Sequence, residues 1–217
     1  MKQFIVAMAC LLGALASNAS DFPNRPISLI TPTAPGGAMD SVARMLADRL
    51  SPRLGQPVVI DYKPGAGGTL GTSLAAKAKP DGHTLVIVAD SYLTVAPRLL
   101  KGVTFNAQRD LAPVIEIGSS PMVLVAHPSL GVNSVSDLVK RAKAMPDRIT
   151  YASGGAGSPH HLFMGTLEQW ADIRLSHGPY RGGPQAYADV LAGHVSAMFI
   201  AMSTAEPHLR NGQLVPL

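Results

Sequence analysis

Three glycine-rich stretches hold the residues best suited to chemistry in this chain: Pro35-Gly36-Gly37, Pro64-Gly65-Ala66-Gly67-Gly68 and Ser153-Gly154-Gly155-Ala156-Gly157-Ser158. Each follows a strand-like apolar run and opens a helical pattern. A helix N-terminus exposes backbone N–H groups without intrahelical partners and carries partial positive charge, and glycine lets an anion approach that backbone closely. One such terminus is worth roughly 0.3–1 kcal/mol to an exposed anion and up to ~2 kcal/mol when partly buried. Two or three converging on a cleft can hold a carboxylate without an arginine. Singly, each stretch also reads as a tight strand-to-helix turn.

Other chemistries find weaker support. Gly65-Ala66-Gly67-Gly68-Thr69-Leu70-Gly71, with Asp90 at the end of the next strand, imitates a dinucleotide fingerprint, but the third glycine falls at 71 where the strict spacing wants 70. Ser153 follows Tyr151-Ala152, so the glycine that a nucleophile elbow needs two residues before its serine is absent. His160-His161 lack HExxH spacing, and His83, His177, His194 and His208 are dispersed, which leaves no catalytic dyad and no metal ligand set in view. Lys140, Arg141 and Lys143 read as a solvated helix face. No cofactor is implied.

The elements that must position the glycine corners alternate between strand and helix. Strands are expected at Ile27–Ile30, Val58–Ile60, Leu85–Val88, Met122–Ala126, Ile149–Ala152, Ile173–Leu175 and Val195–Ile200, with extended chain at Val114-Ile115. Helices are expected at Met39–Leu50 (Val42, Leu46, Leu50 and Leu54 on one face), Leu70–Ala78, Val135–Ala144, His161–Trp170, Ala186–Leu191 and Thr204–Arg210. The alternation predicts an α/β fold with parallel sheets and crossover helices. A fresh βα series starts near Met122–Pro128, so the expected organisation is a first lobe over 20–122 and a second over 123–217. Gln213–Leu217 looks like the start of another strand.

Of the 217 residues, 47% are apolar and 15% charged, which rules out disorder. A formal charge of +4 with 5% aromatics is too weak for a nucleic-acid partner, and a small ligand fits better. At the start, Lys2, the apolar run Phe4–Ala16 and Ser17-Asn18-Ala19 make a signal peptide over 1–19, with cleavage after Ala19 and export to the periplasm. Thirteen apolar residues fall short of the roughly 20 that span a bilayer. Cys10 lies inside the run and leaves with it, so no disulfide is expected.

Motifs along the whole mature chain fall in one order: Pro32-Thr33-Ala34-Pro35-Gly36-Gly37-Ala38-Met39-Asp40 with Ala43-Arg44, Leu54-Gly55-Gln56-Pro57-Val58-Val59, Lys63 to Gly68, Lys79-Pro80-Asp81-Gly82-His83-Thr84-Leu85, Tyr151 to Ser158 with His161-Leu162, Pro179-Tyr180-Arg181-Gly182 and Gly193-His194-Val195. This set resembles the Bug (Bordetella uptake gene) family, the extracytoplasmic solute-binding proteins of tripartite tricarboxylate transporters. The resemblance implies a two-lobed α/β periplasmic-binding-protein fold of the type II, flytrap kind, and a monomer that captures a small organic carboxylate for membrane transporter subunits without chemistry of its own. It implies that the Pro35–Gly37 loop and the Ser153–Ser158 loop face each other across the cleft. The ligand residues expected are Pro35, Gly36, Gly37, Ser153, Gly154, Gly157 and Ser158, with Asp40, Gly67, Ser91 and His161 beside them. Asp40 either meets an amine on the ligand or complements the dipole of its helix, and the second is favoured.

Thr33 stands where the family commonly has an aromatic residue, and Ser196 and Ile200 where it commonly has aspartates, so the resemblance implies a less polar ligand. Family chains also continue further, which makes a truncation of the first lobe the expectation, with poor stability or aggregation of residues 20–217 alone. Three rivals remain: an exported α/β hydrolase-like enzyme using Ser153 or His161, a ligand-presenting subunit of a sensor, and a truncated, non-functional remnant.

Overall fold

A computed structural model describes residues 22–217; the expected signal peptide, Cys10 and the expected cleavage position after Ala19 lie outside the described residues. The first sheet grows from β1 (Ile27–Thr31), buried at four of its five positions, as suits a central strand covered on both faces. It pairs in parallel with β2 (Val58–Tyr62) on one side and β3 (Thr84–Val86) on the other, giving the order β2-β1-β3. Between β1 and β2 runs α1 (Ala38–Leu54), which carries its apolar face on to Leu54 before Gly55 closes it in the left-handed conformation (φ 66°). Ala43 and Ala47 bury against Ile27, Leu29 and Val58, and Val42, Leu46, Leu50 and Leu54 flank them. The link from β2 to β3 is a 3-10 turn over Ala66–Gly68 and α2 (Thr69–Ala76). Three short helices follow, α3 (Asp90–Thr94), α4 (Ala96–Leu99) and α5 (Ala107–Asp110).

The second sheet has five strands in the order β6-β5-β7-β4-β8. β4 (Met122–Ala126), β5 (Thr150–Ser153), β6 (Ser176–Pro179), β7 (Ala197–Ala201) and β8 (Val215–Pro216) alternate with α6 (Val135–Ala144), α7 (Pro159–Ala171), α8 (Gly183–Leu191) and α9 (Met202–Arg210). The side chains of β4 divide between two cores. Leu124 and Ala126 meet Leu138, Ala142 and Met164 on one face, while Val123 and Val125 meet Ala186, Val190 and Ala205 on the other.

Two sequence expectations are corrected here. The second sheet is mixed: β4 runs antiparallel to β7 and to β8, since β7 arrives from the opposite end beside β4. Ile173–Leu175 is not a strand. The Ile173 amide donates to the Glu168 carbonyl and that of Leu175 to Glu168 Oε1, so these residues plug the core from the end of α7, and β6 begins one residue later. Val114 and Ile115 carry no strand pairing and stand 79% and 78% exposed. The closing apolar run does enter the sheet, as β8.

Candidate functional site: the seam of glycine corners

The corner between β1 and α1 is held by Asp40, third residue of the helix, which reaches back as in a capping box. Its carboxylate accepts from the Gly36 amide at 2.9 Å, from the Tyr62 hydroxyl at 2.6 Å and from Arg44 Nε at 3.1 Å, with the side chain 7% exposed. Burial alone would push its pKa up, but the hydrogen bonds from Tyr62, Gly36 and Arg44 outweigh that and hold it below the ordinary carboxylate value. Asp40 is therefore engaged within the protein, more deeply than a charge that merely complements the dipole. The Gly36 amide, expected to face a ligand, is engaged with it. Gly37 caps α1 with extended backbone and no side-chain hydrogen bond, so the first amides of this helix have no side-chain acceptor, and Pro35 is exposed beside them.

The Ser153–Ser158 corner turns inward on itself. Ser153 is fully buried; its Oγ lies 2.6 Å from His177 Nε2 and accepts from the Gly155 amide at 3.1 Å. Ser158, also buried, caps α7 by accepting from the His161 amide, and the Gly157 amide donates to His161 Nδ1 at 3.3 Å. His161 stacks on His177 with ring centroids 4.5 Å apart, and Tyr151 stacks on the same His177. The Ser153–His177 contact looks like a nucleophile and its base, yet Ser153 is closed off and its hydroxyl is engaged on both sides. These side chains set the shape of the corner and take up the Gly155 and Gly157 amides.

The two sheets meet through these corners. A Cβ placed on Gly67 (φ 59°) would sit 2.0 Å from the Ala156 carbonyl oxygen, and one on Gly157 (φ 80°) would sit 2.9 Å from Ala96 Cβ. Around Gly36 and Gly37 the neighbour within 4 Å of an added Cβ is Pro184, not the Ser153–Ser158 loop. A Cβ placed on Gly37 would sit 3.6 Å from the Pro184 ring, and one on Gly182 would sit 3.4 Å from Ala34. Gly182 opens α8, again without a side-chain cap, and Gly154 lies against the Gly182-Gly183 turn. Two uncapped helix N-termini, of α1 and α8, thus meet at one seam with the Gly154 corner beside them.

Of the four buried polar side-chain atoms without partners among the described residues, three lie along this seam: Thr33 Oγ1 just before the first corner, His160 Nδ1 beside Gly154, and Ser91 Oγ on α3; the fourth, His83 Nε2, lies by Phe22 and Asp81. His160 and the Gly182–Pro184 turn escape a reading of the sequence because their approach to Gly154 and Gly37 is tertiary; Arg44, four residues after Asp40, is visible there as a helical ion pair. Ser196 and Ile200 are structural. Ser196 Oγ lies 3.2 Å from Thr150 Oγ1, and Ile200 is 2% exposed in the second core, so the residue at 200 contributes packing rather than a ligand contact.

Burial lowers the pKa of His160 to about 4, and burial together with the neighbouring His161 lowers that of His177 to about 4. Both rings are neutral in the folded state, while the unfolded chain binds protons near pH 6.5, so stability rises with pH between these values. The contribution is intact above about pH 6.5 and lost as pH falls toward 4, on the order of 3 kcal/mol for His160. Urea midpoints at pH 7, 5.5 and 4.5 should fall in that order, and His160→Asn should flatten the decline.

Known proteins share this architecture. Residues 42–217 match the model of the tripartite tricarboxylate transporter family receptor. A UPF0065 protein of Bordetella pertussis is 35% identical over 98% of this chain and 66% of its own length, and BugT of the same organism is 37% identical over 91% and 61%. A solved periplasmic transporter superposes with TM-score 0.85 at 31% identity, and an R. palustris protein solved with adipate with TM-score 0.82 at 30%. MatC from Rhodopseudomonas palustris with bound malate gives 0.85 at 29%. Each of the three covers 90% of this chain, which spans 66% of theirs. The chain thus spans just under two thirds of the relatives it matches, and over that length it shares the α/β fold of periplasmic binding proteins. The family is one of receptors, not enzymes, which sets aside the hydrolase reading of Ser153. By the match over 42–217 and these relatives together, the chain belongs to the tripartite tricarboxylate transporter receptor family.

Proposed function

We propose that the chain is a periplasmic solute receptor that captures a small organic carboxylate at the seam between lobes dividing near residue 122 and presents it to membrane transporter subunits. The observation that carries this is the meeting of the α1 and α8 N-termini, both without side-chain caps, at the Gly37–Pro184 contact. Two positive helix ends brought together repel each other unless an anion lies between them, and an anion there gains from both at once. The amides of Gly37, Gly154 and Gly183 surround the carboxylate in this reading, with Thr33 and neutral His160 supplying side-chain hydrogen bonds. Asp40, Ser153, Ser158 and His161 hold the corners in shape, and Gly67 and Gly157 let the lobes close.

Capture at micromolar concentration corresponds to about −8 kcal/mol. Two helix ends supply up to ~4 kcal/mol of that, so burial of the ligand's carbon skeleton provides the rest. Contacts to both lobes exist only when the seam is shut, so the ligand favours the closed state. The adipate and malate carried by two structural relatives are consistent with this class.

Thermal melts of the chain with mono-, di- and tricarboxylates and with uncharged solutes of equal size test the reading. At least one carboxylate should raise Tm in a concentration-dependent way while its amide does not. Stabilisation by an uncharged solute alone would refute it.

A further inference from the structure

Tyr92 stands at the seam without a part in the carboxylate reading. It lies on α3, at the carboxyl end of β3, the same end of the first sheet from which the Pro35–Gly37 and Gly65–Gly68 corners leave β1 and β2. Ligands of α/β sheets bind outside that end. Val95, in helical conformation, joins α3 to α4, so Tyr92 and Ala96, four residues apart, share one helical face. That face looks across the seam, since a Cβ placed on Gly157 would sit 2.9 Å from Ala96 Cβ. The Tyr92 ring fills the space beside Gly68, where an added Cβ would sit 2.6 Å from it, and a Cβ on the adjoining Gly67 would meet the Ala156 carbonyl of the second lobe. Tyr92 is therefore set where the Gly65–Gly68 corner faces Ala156 and Gly157.

The residue is 3% exposed, and burial alone pushes its pKa up to about 12, with no hydrogen bond acting on the hydroxyl. Unlike Thr33 Oγ1, Ser91 Oγ and His160 Nδ1, that hydroxyl is not closed off from the surface. A buried tyrosine usually gives its O–H a partner; this one is a neutral, unengaged donor at the edge of the seam. Its neighbours there, Gly67, Gly68, Ala156 and Gly157, supply no cation. A second carboxylate held by one phenol would leave most of its charge unmatched, whereas an uncharged oxygen is satisfied. The Gly154–Gly157 loop leads from the carboxylate site to this place over no more than about 10 Å, within reach of a small acid. We propose that Tyr92 is a specificity-determining residue: its hydroxyl pairs with a hydroxyl or carbonyl oxygen on the carbon skeleton of the captured acid, so that the chain prefers a hydroxy or oxo acid to the parent acid lacking that group. This rests on the carboxylate reading of the seam and adds the ligand's second polar group to it.

The test is isothermal titration of the wild-type chain and Tyr92→Phe with matched acids: butyrate with 3-hydroxybutyrate and acetoacetate, succinate with malate, and glutarate with 2-oxoglutarate. In at least one set the wild type should bind the oxygen-bearing acid about fivefold more tightly than its parent. Tyr92→Phe, which keeps the ring beside Gly68, should bring the two to one affinity while the parent's Kd and the Tm of the free chain stay unchanged. With ¹³Cζ-labelled tyrosine, the Tyr92 signal should move further with the preferred acid than with its parent. Carboxylate binding without such a preference, a preference that survives Tyr92→Phe, or equal Tyr92 shifts for both acids would overturn the proposal and leave the carboxylate reading standing. Absence of binding by every acid would strike that reading first, and this proposal with it.

Discussion

Replacing Gly67 by alanine should lower carboxylate affinity by more than about 100-fold while leaving the chain folded. The new Cβ would lie 2.0 Å from the Ala156 carbonyl oxygen, far inside contact distance, and the obstruction is backbone on both sides, so no rotamer relieves it. The left-handed φ of 59° adds roughly 1 kcal/mol of strain for any residue with a Cβ. The seam can accept the methyl only by opening, which separates the Gly154 corner from the first lobe and forfeits every contact that needs both. Gly55→Ala is the matching control: its φ of 66° is equally left-handed, but nothing lies within 4 Å of the new methyl. That variant should lose about 1 kcal/mol of stability and bind normally. Isothermal titration with a carboxylate identified from the melts separates the two; equal affinities would show that closure at Gly67 does not matter.

Asp40→Ala should cost about 2–4 kcal/mol of unfolding free energy in urea, the largest stability effect expected near the site. Asp40 is nearly buried and accepts from a backbone amide, a phenol and a guanidinium at once. Hydrogen bonds to a charged group contribute about 1.5–3 kcal/mol each before the exposed Arg44 is discounted, and their loss leaves Gly36 N–H unmatched. Asp40→Asn keeps an acceptor for Gly36 or Tyr62 and should lose about half as much. Both variants should also weaken carboxylate binding, through a slackened Gly36-Gly37 corner. If Asp40 instead met an amine on the ligand, Asp40→Ala would leave stability intact and abolish binding of amine-bearing ligands alone.

The features most legible in the sequence are those set by local rules. Gly37 opens α1, and the three glycine corners stand where strands turn into helices, because a tight turn leaves few residue types to choose from; the expected end at Leu50 falls short of Gly55, which closes the helix in the left-handed conformation. Strand direction is not local, so the antiparallel pairing of β4 with β7 cannot be read from a run that looks the same either way. Ile173 and Leu175 mislead for a related reason: apolar alternation states that a side chain is buried, not that its amide joins a sheet. At the site, the spacing of Asp40 and Arg44 is readable, whereas the approach of His177 to Ser153 and of Pro184 to Gly37 spans 24 and 147 positions of sequence and follows only from packing. The glycines therefore point to anion chemistry while the serines are internal supports.

Amide signals of a chain labelled with ¹⁵N-glycine, followed while a stabilising carboxylate is added, report most directly on which backbone the ligand touches. Gly37 from one lobe and Gly154 and Gly183 from the other should shift together, with one common Kd, while Gly55 and Gly131 stay still. Movement confined to one lobe, or no movement in these three as the ligand saturates, would contradict a carboxylate clasped between two helix ends.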